Sequence, residues 1–363
     1  MKKTYATAAV IIAVILLAST YFFVLNNNPE EQQPKQVLKV YCATSLEYPL
    51  AIVEADFEEE YPNVDLQVQG HGTIQVIRHV TELNQELDVV MAADYSLIPT
   101  MMYPTKISGT DQSYGTYYIR FATNTMVLAY TNTSKYSDEI NADNWYSILT
   151  RPDVKFGFAN PQLAALGYRA LTTIQLAQDY YNKPTLFHDL ITDNMNPPIN
   201  SIASGTGYTI TVPDTQQPKN DKVTLRSSEI DLIALLQSGY LDYSFIYLSN
   251  ARQYDFGYIT LPDEINLGSP QQQSNYERVQ VVYDHQRFAT VNLDRTGENI
   301  YYGLTIPTNA PNPEWAEKFV EFVLAGQGKT DFDNCYHPIY TPAYTDHIEN
   351  VPASLQSLVA AEP

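Results

Sequence analysis

The run LKVYCA, residues 38–43, is short and apolar and ends at Thr44-Ser45. A helical pattern follows, with Leu50, Val53 and Phe57 on one face and Glu58, Glu59 and Glu60 exposed. In NVDLQVQG, Val64, Leu66 and Val68 alternate with polar residues, the two-residue period of a strand. His71-Gly72-Thr73 reads as a turn, and Ile74, Ile77 and Val80 begin a second helix. LDVVMAA, residues 87–93, is continuously apolar, the mark of a strand covered on both faces. The order β-α-β-α-β predicts a doubly wound α/β unit.

The second half repeats the style. VKFGFA reads as a strand, Asn160-Pro161 as a turn, and GYRALTTIQLAQDYY as a helix beginning near Leu166-Gly167. SSEIDLIALLQSG is a helix with Ser at its start and Gly239 at its end, as capping predicts. YLDYSFIY is a strand, and VVY through YYGLTIP reads as a strand pair. PEWAEKFVEFVLAGQG is an amphipathic helix with Trp315, Phe319 and Phe322 or Val323 inward. Residues 185–222 are polar and loop-rich, and no internal repeat is apparent.

Three strand-turn-helix junctions bring a hydroxyl or a small residue to a helix start: Ser45, Thr73 and Gly167. Each alone is an ordinary N-cap. Together they have the form of an anion site built from N–H groups and helix dipoles, without formal positive charge. In open α/β sheets such junctions lie beyond the carboxyl ends of the strands, where ligands bind.

Composition narrows the field. The chain has 363 residues, enough for two domains or one large one, and is 44% apolar and 17% charged, as a folded protein is. Its net charge of −20 argues against nucleic acid or anionic lipid as the main partner. Lys2-Lys3 followed by an almost wholly apolar stretch at 6–25 and the polar linker NNNPEEQQPKQ reads as an export signal or N-terminal anchor. The stretch is long enough to span a bilayer, and Ala18-Ser19-Thr20 is a poor cleavage site. This favours an uncleaved anchor with the two lysines inside and the body outside. Cys42 and Cys335 sit in no zinc or CxxC spacing. They either pair outside the cell or stay as two buried thiols. Asn132-Thr133-Ser134 is a glycosylation sequon or simply a turn. His71 and His79 are isolated and suggest no metal site; Asp94 either orients a site or is structural; Tyr168 can line a cleft, and Arg169 suits a structural ion pair. No nucleophile–base pair or P-loop is present in the sequence, so catalysis is not supported.

Several long words also carry a resemblance. IRHVTELNQELDVVMAADYSLIPTMMYPT, VLAYTNTSKYSDEINADNWYSILTRPDVKFGFANP, RSSEIDLIALLQSGYLDYSFIY and YYGLTIPTNAPNPEWAEKFVEFVL occur in an order that resembles the archaeal molybdate/tungstate-binding proteins. Those are extracytoplasmic solute-binding subunits of ABC importers, and the likeness spans roughly residues 37–345. It implies an α/β fold of two doubly wound lobes joined by a two-stranded hinge, the type II periplasmic-binding-protein form. Lobe 1 would hold residues 37–118 plus 303–363 and lobe 2 residues 119–302, after an N-terminal segment and linker over 1–36. The crossings would fall near 117–124 and 299–305. Implied too are a monomer that needs no cofactor, a permease and an ATPase subunit as partners, and molybdate or tungstate as ligand.

The resemblance also assigns site residues. Ser45 stands where the family has Ser after a Gly that is here Thr44, and Thr73 where it has Ser in a Gly-Ser turn. Glu229 falls on a carboxylate that closes over the metal of the oxyanion, a direct Mo or W ligand in the family, and Tyr247 on a tyrosine near the ligand. One place departs. The family pattern NPxDDPCGYR, which supplies a second carboxylate, here reads NPQLAALGYR, with Leu163 and Ala164 in place of the acids. An alkyl side chain neither coordinates a metal nor accepts a hydrogen bond, so only backbone donors, Ala164 among them, remain at that turn. Either the anion is held as a plain tetrahedron by hydrogen bonds, or specificity has moved to another tetrahedral oxyanion. A sensory module that keeps the fold without feeding transport is a further reading.

Overall fold

The computed structural model describes residues 35–284 and 294–362. The segment read as signal or anchor lies outside the described residues. Among those described, no helix is long and apolar enough to cross a membrane.

The first α/β unit forms as its pattern dictates. β1 (Gln36–Ala43), β2 (Val64–His71) and β3 (Val89–Ala92) run parallel, with β1 in the middle. Helices Glu47–Glu60 and Thr73–Thr81 follow the first two strands. Leu50, Val53 and Phe57 are fully buried on one face of the first helix, and Ile74, Ile77 and Val80 on the second. β4 (Ile119–Thr123) and the strands Tyr301–Thr305, Ile339–Thr345 and Val359–Ala361 complete a sheet of seven strands. In it Tyr301–Thr305 lies antiparallel between β3 and β4.

From β4 the chain passes through Asn124 and Thr125 into β5 (Met126–Tyr130), which belongs to a second sheet. There β6 (Phe156–Ala159) lies parallel between the strands Val223–Arg226 and Tyr243–Tyr247, and β5 runs antiparallel to the latter. The helix Ala165–Tyr180 packs on this sheet almost without solvent contact as far as Ala177. The helix Glu229–Gln237 begins as its sequence requires. Ser228 accepts from the Asp231 N–H at 3.4 Å, and Gly239 closes the far end at φ +70°, a left-handed conformation that suits glycine.

Two sequence expectations fail. VVY and YYGLTIP do not pair: Val279–Tyr283 lies in a four-stranded sheet beside Gly207–Val212, while Tyr301–Thr305 is in the seven-stranded one. Both runs are apolar, and adjacency along the chain does not decide which sheet each one covers. Nor is 185–222 simply loop. It holds the helix Leu186–Leu190 and the hairpin Asn200–Ser204/Gly207–Val212. The hairpin's first strand is mostly exposed and polar, which hid its period. Trp315 is only half-buried, edge-on to Tyr61 at 5.5 Å, whereas Phe319, Phe322 and Val323 are buried as expected. Thr131–Ser134 forms a tight turn around the sequon, with the Thr131 N–H donating to Ser134 Oγ at 2.9 Å. Cys42 and Cys335 are two buried free thiols.

His337 is fully buried beside Tyr302, with ring centroids 5.3 Å apart. Burial pushes its imidazole from 6.5 down to about 4, despite the Cys335 carbonyl at its Nδ1. A histidine kept neutral by the fold contributes stability above pH 6.5, and that contribution is lost as the pH falls toward 4. The loss approaches about 3 kcal/mol at its limit. Urea unfolding midpoints compared between pH 7 and pH 4.5 are expected to drop further for the wild type than for His337→Gln. Equal drops would remove His337 as the cause.

Candidate functional site

The carboxyl ends of the two sheets face one another. β1 delivers Thr44 and Ser45, β2 delivers His71-Gly72-Thr73, and β3 delivers Ala93 and Asp94. From the other side come the 160–164 turn after β6, Glu229 at a helix start, and Tyr247 at the end of its strand. Residues of both groups line one cavity of about 10 Å³, the room of a single water. Ser45, Thr73, Thr44, Glu229, Tyr247 and Ala164 all line it, and all are buried. The six sequence candidates are therefore brought together.

Their hydrogen bonds share one feature. Thr44 Oγ1 accepts from the Glu229 N–H at 3.3 Å. Ser45 Oγ accepts from Tyr302 Oη at 3.2 Å. Thr73 Oγ1 accepts from the Ala93 N–H at 3.1 Å. Tyr247 Oη accepts from Arg169 Nη1 at 2.8 Å. A hydroxyl has one proton to give, and here an internal donor holds each oxygen. Each O–H is thus left to donate toward whatever the cavity holds. Burial pushes the Tyr247 phenol up to about 12, though Arg169 pulls it back, so it keeps its proton.

Glu229 is nearly sealed from solvent at 2% exposure. Its Oε1 accepts from the Tyr247 N–H at 2.9 Å. Burial pushes the carboxyl up to about 8, only partly opposed by that N–H and by Arg169. At neutral pH it is mainly the protonated acid, which can donate as well as accept.

The turn at 160–164, which carries no acid, is bonded within itself. Leu163 and Ala164 both send their N–H back to Asn160 O at 3.0 Å. The Ala164 amide is thus committed inside the turn. The helix starts at Ala165, one residue before the expected Leu166-Gly167, so the amides aimed beyond its end are those of Ala165 and Leu166. Across the cleft, a Cβ on Gly72 would stand 2.3 Å from the Leu163 carbonyl oxygen. Backbone meets backbone here, and only glycine fits.

Three further residues acquire roles. Arg169 makes no ion pair among the described residues. It is 3% exposed, and Nη1 bonds the Ala93 carbonyl at 2.6 Å as well as Tyr247. A formal positive charge therefore stands one bond behind the cavity, which the junction pattern did not indicate. Tyr168 donates to Asp94 Oδ2, and Ser96 Oγ donates to Asp94 Oδ1 at 2.7 Å. Burial alone would raise the Asp94 carboxyl, but Arg169, Arg295 and these hydrogen bonds hold it below its usual range. His71 and His79 are not isolated: their rings stack at 4.6 Å, and His71 lines the cavity. No one-dimensional signal joins a strand end to the last turn of the next helix.

Over residues 38–332 the chain matches the family described as bacterial extracellular solute-binding protein. The chain belongs to that solute-binding family. It is 38% identical over 324 residues to an uncharacterized solute-binding protein of Methanococcus maripaludis, covering 89% of this chain and 88% of the relative. It is 37% identical over 334 residues to the molybdate/tungstate-binding protein WtpA of Pyrococcus abyssi, covering 89% of each. Among solved structures, the periplasmic molybdate-binding protein of Azotobacter vinelandii superposes with a TM-score of 0.52 at 12% identity, over 84% of this chain and all of that one. The substrate-binding protein of an Agrobacterium tumefaciens ABC transporter gives 0.52 at 12% identity over 94% of this chain and 89% of that one. These likenesses establish the fold as the type II periplasmic-binding-protein form.

The tight passage at Gly72 yields a direct expectation for this solute-binding protein. Gly72→Ala should keep the 162–166 turn from seating, so amide hydrogen exchange at Ala165 and Leu166 should quicken severalfold while the global melting temperature moves by only a few degrees. Unchanged exchange at those amides would show that the contact does not hold the two sides together.

Proposed function

We propose that this chain captures molybdate or tungstate outside the cell, in the cleft between its two α/β lobes, and delivers it to an ABC permease driven by an ATPase subunit. One observation carries the reading. Four hydroxyls, those of Thr44, Ser45, Thr73 and Tyr247, each accept one bond from within the protein and keep their own proton to donate, so the cavity offers donors to an anion. The Ala165 and Leu166 amides and the helix dipole add to them. Kinship with the molybdate/tungstate-binding protein of Pyrococcus abyssi supports the choice of anion. Kinship with a transport family, and a lining that joins no nucleophile to a base, support a binder rather than an enzyme.

The lobes in this reading are residues 37–118 plus 303–363 and 119–302. Their joint is the antiparallel pair β4 and Tyr301–Thr305, where Thr123 Oγ1 donates to Ile300 O at 2.9 Å and Asn124 Nδ2 to Tyr302 Oη at 3.0 Å. The body works as a monomer, held at the membrane by residues 6–25 and facing outward. The anion sits as a tetrahedron bound by hydrogen bonds, with the Glu229 acid as a donor. Leu163 and Ala164 favour this over a six-coordinate metal, since the lining offers one carboxyl and not two. The same two residues support a second reading, a relative turned to another tetrahedral oxyanion.

Calorimetry on residues 36–363 with tungstate, molybdate, sulfate and phosphate separates them. Binding of tungstate and molybdate with sulfate silent is the expected result, and silence toward both metal oxyanions would defeat the first reading. The acid form of Glu229 gives a pH signature. Its carboxyl is raised to about 8, so affinity is expected to hold steady below pH 7 and to fall above pH 8 by about tenfold per pH unit as the carboxylate forms beside the anion. Glu229→Gln should bind with a flat profile over the same range; a wild-type profile that is already flat would mean that Glu229 is not the titrating group.

A further inference from the structure

His71 belongs to no motif used so far, yet it ends β2 within the lining of the anion cavity. Its ring cannot drift. It stacks on His79 at 4.6 Å with an interplanar angle of 28°, and lies 5.4 Å from the ring of Tyr41. Those two are in turn tied together: Gln85 Oε1 is 2.9 Å from His79 Nδ1, and Gln85 Nε2 donates to Tyr41 Oη at 2.5 Å. Rings of two strands and a helix thus fix one imidazole at the cavity wall.

One atom of that imidazole is unaccounted for. His71 Nε2 is shut off from solvent and has no hydrogen-bond partner among the described residues. A buried polar nitrogen without a partner is costly, and such groups ask for a ligand or an ion. Burial and the neighbouring His79 hold the ring below its ordinary protonation range, which favours the neutral form with one N–H to give.

We propose that His71 is a further oxyanion-binding residue of the cleft, its Nε2–H donating to an oxygen of the bound tetrahedral anion. This rests on the oxyanion reading of the cavity. It adds a donor on the same side of the cleft as Thr73, opposite the turn where Leu163 and Ala164 stand. A planar ring N–H held by stacking is more directional than a rotating hydroxyl. It therefore sets one oxygen position, and so selects for anion size.

The test uses the full chain and sodium tungstate. Calorimetry compares wild type, His71→Ala and His71→Gln, the last keeping an N–H donor at similar reach. His71→Ala is expected to bind about tenfold or more weakly, and His71→Gln to recover most of the loss. In parallel, the unsubstituted chain carrying 15N-labelled histidine is titrated with tungstate, and the His71 Nε2–H resonance should move downfield as the anion binds. A His71→Ala protein that melts like wild type yet binds within twofold overturns the proposal. So does a wild type that binds while the His71 resonance stays still, a result that stands even if the alanine variant fails to fold. A wild type that binds neither tungstate nor molybdate overturns the oxyanion reading and this proposal with it, and is told apart because it appears before any substitution.

Discussion

Everything at this site follows from how a buried hydroxyl divides its capacity. It can accept and it can donate, and burial allows neither to be wasted. In this cleft each hydroxyl oxygen already accepts one bond from the protein's own donors: Glu229 N–H, Tyr302 Oη, Ala93 N–H and Arg169 Nη1. What remains points one way. An electron-rich, proton-free oxygen shell suits such a lining, and a cation does not. The donors that hold the hydroxyls come largely from elements distant in the chain, and one of them, the Glu229 N–H on Thr44, reaches across from the second sheet.

That meeting is itself held by polar contacts across the cleft. Glu229 N–H reaches Thr44, Arg169 reaches Ala93 O, Tyr168 reaches Asp94, and Asn250 Nδ2 reaches Ser45 O at 3.4 Å. Thr44, Ser45, Ala93 and Glu229 take part in these contacts and also line the cavity, so the cleft is held shut partly by the residues of the site. Arg169 joins the two tasks. One nitrogen supports Tyr247 and the opposite lobe's carbonyl together, and the guanidinium sits near Asp94, whose carboxylate it keeps ionised.

The apolar turn at 160–166 has a physical role after all. With no acid to offer, it contributes backbone: the first amides of the Ala165–Tyr180 helix, and the Leu163 carbonyl pressed against Gly72. Glu229 is left as the single carboxyl of the lining, and burial answers by keeping it protonated. A lone anionic carboxylate in that place would oppose burial, which is why the acid form is kept.

The sequence alone determined the class of this protein and most of its parts. Alternation in NVDLQVQG, the continuous run LDVVMAA and the helix start at Ser228-Glu229 state local geometry, since side-chain period and capping are properties of neighbours in the chain. Ser45 and Thr73 were legible for the same reason, each standing at a strand-to-helix junction, whereas Glu229 and Tyr247 were named only by the family resemblance. Tertiary structure decided the rest. It alone sent Val279–Tyr283 and Tyr301–Thr305 to different sheets, stacked His71 on His79, and put Arg169 behind Tyr247. Those are contacts between residues far apart along the chain or on different elements, and their energies come from burial and from the demand that every enclosed polar group find a partner. No periodicity records such a demand; only the closed packing of the two sheets can meet it.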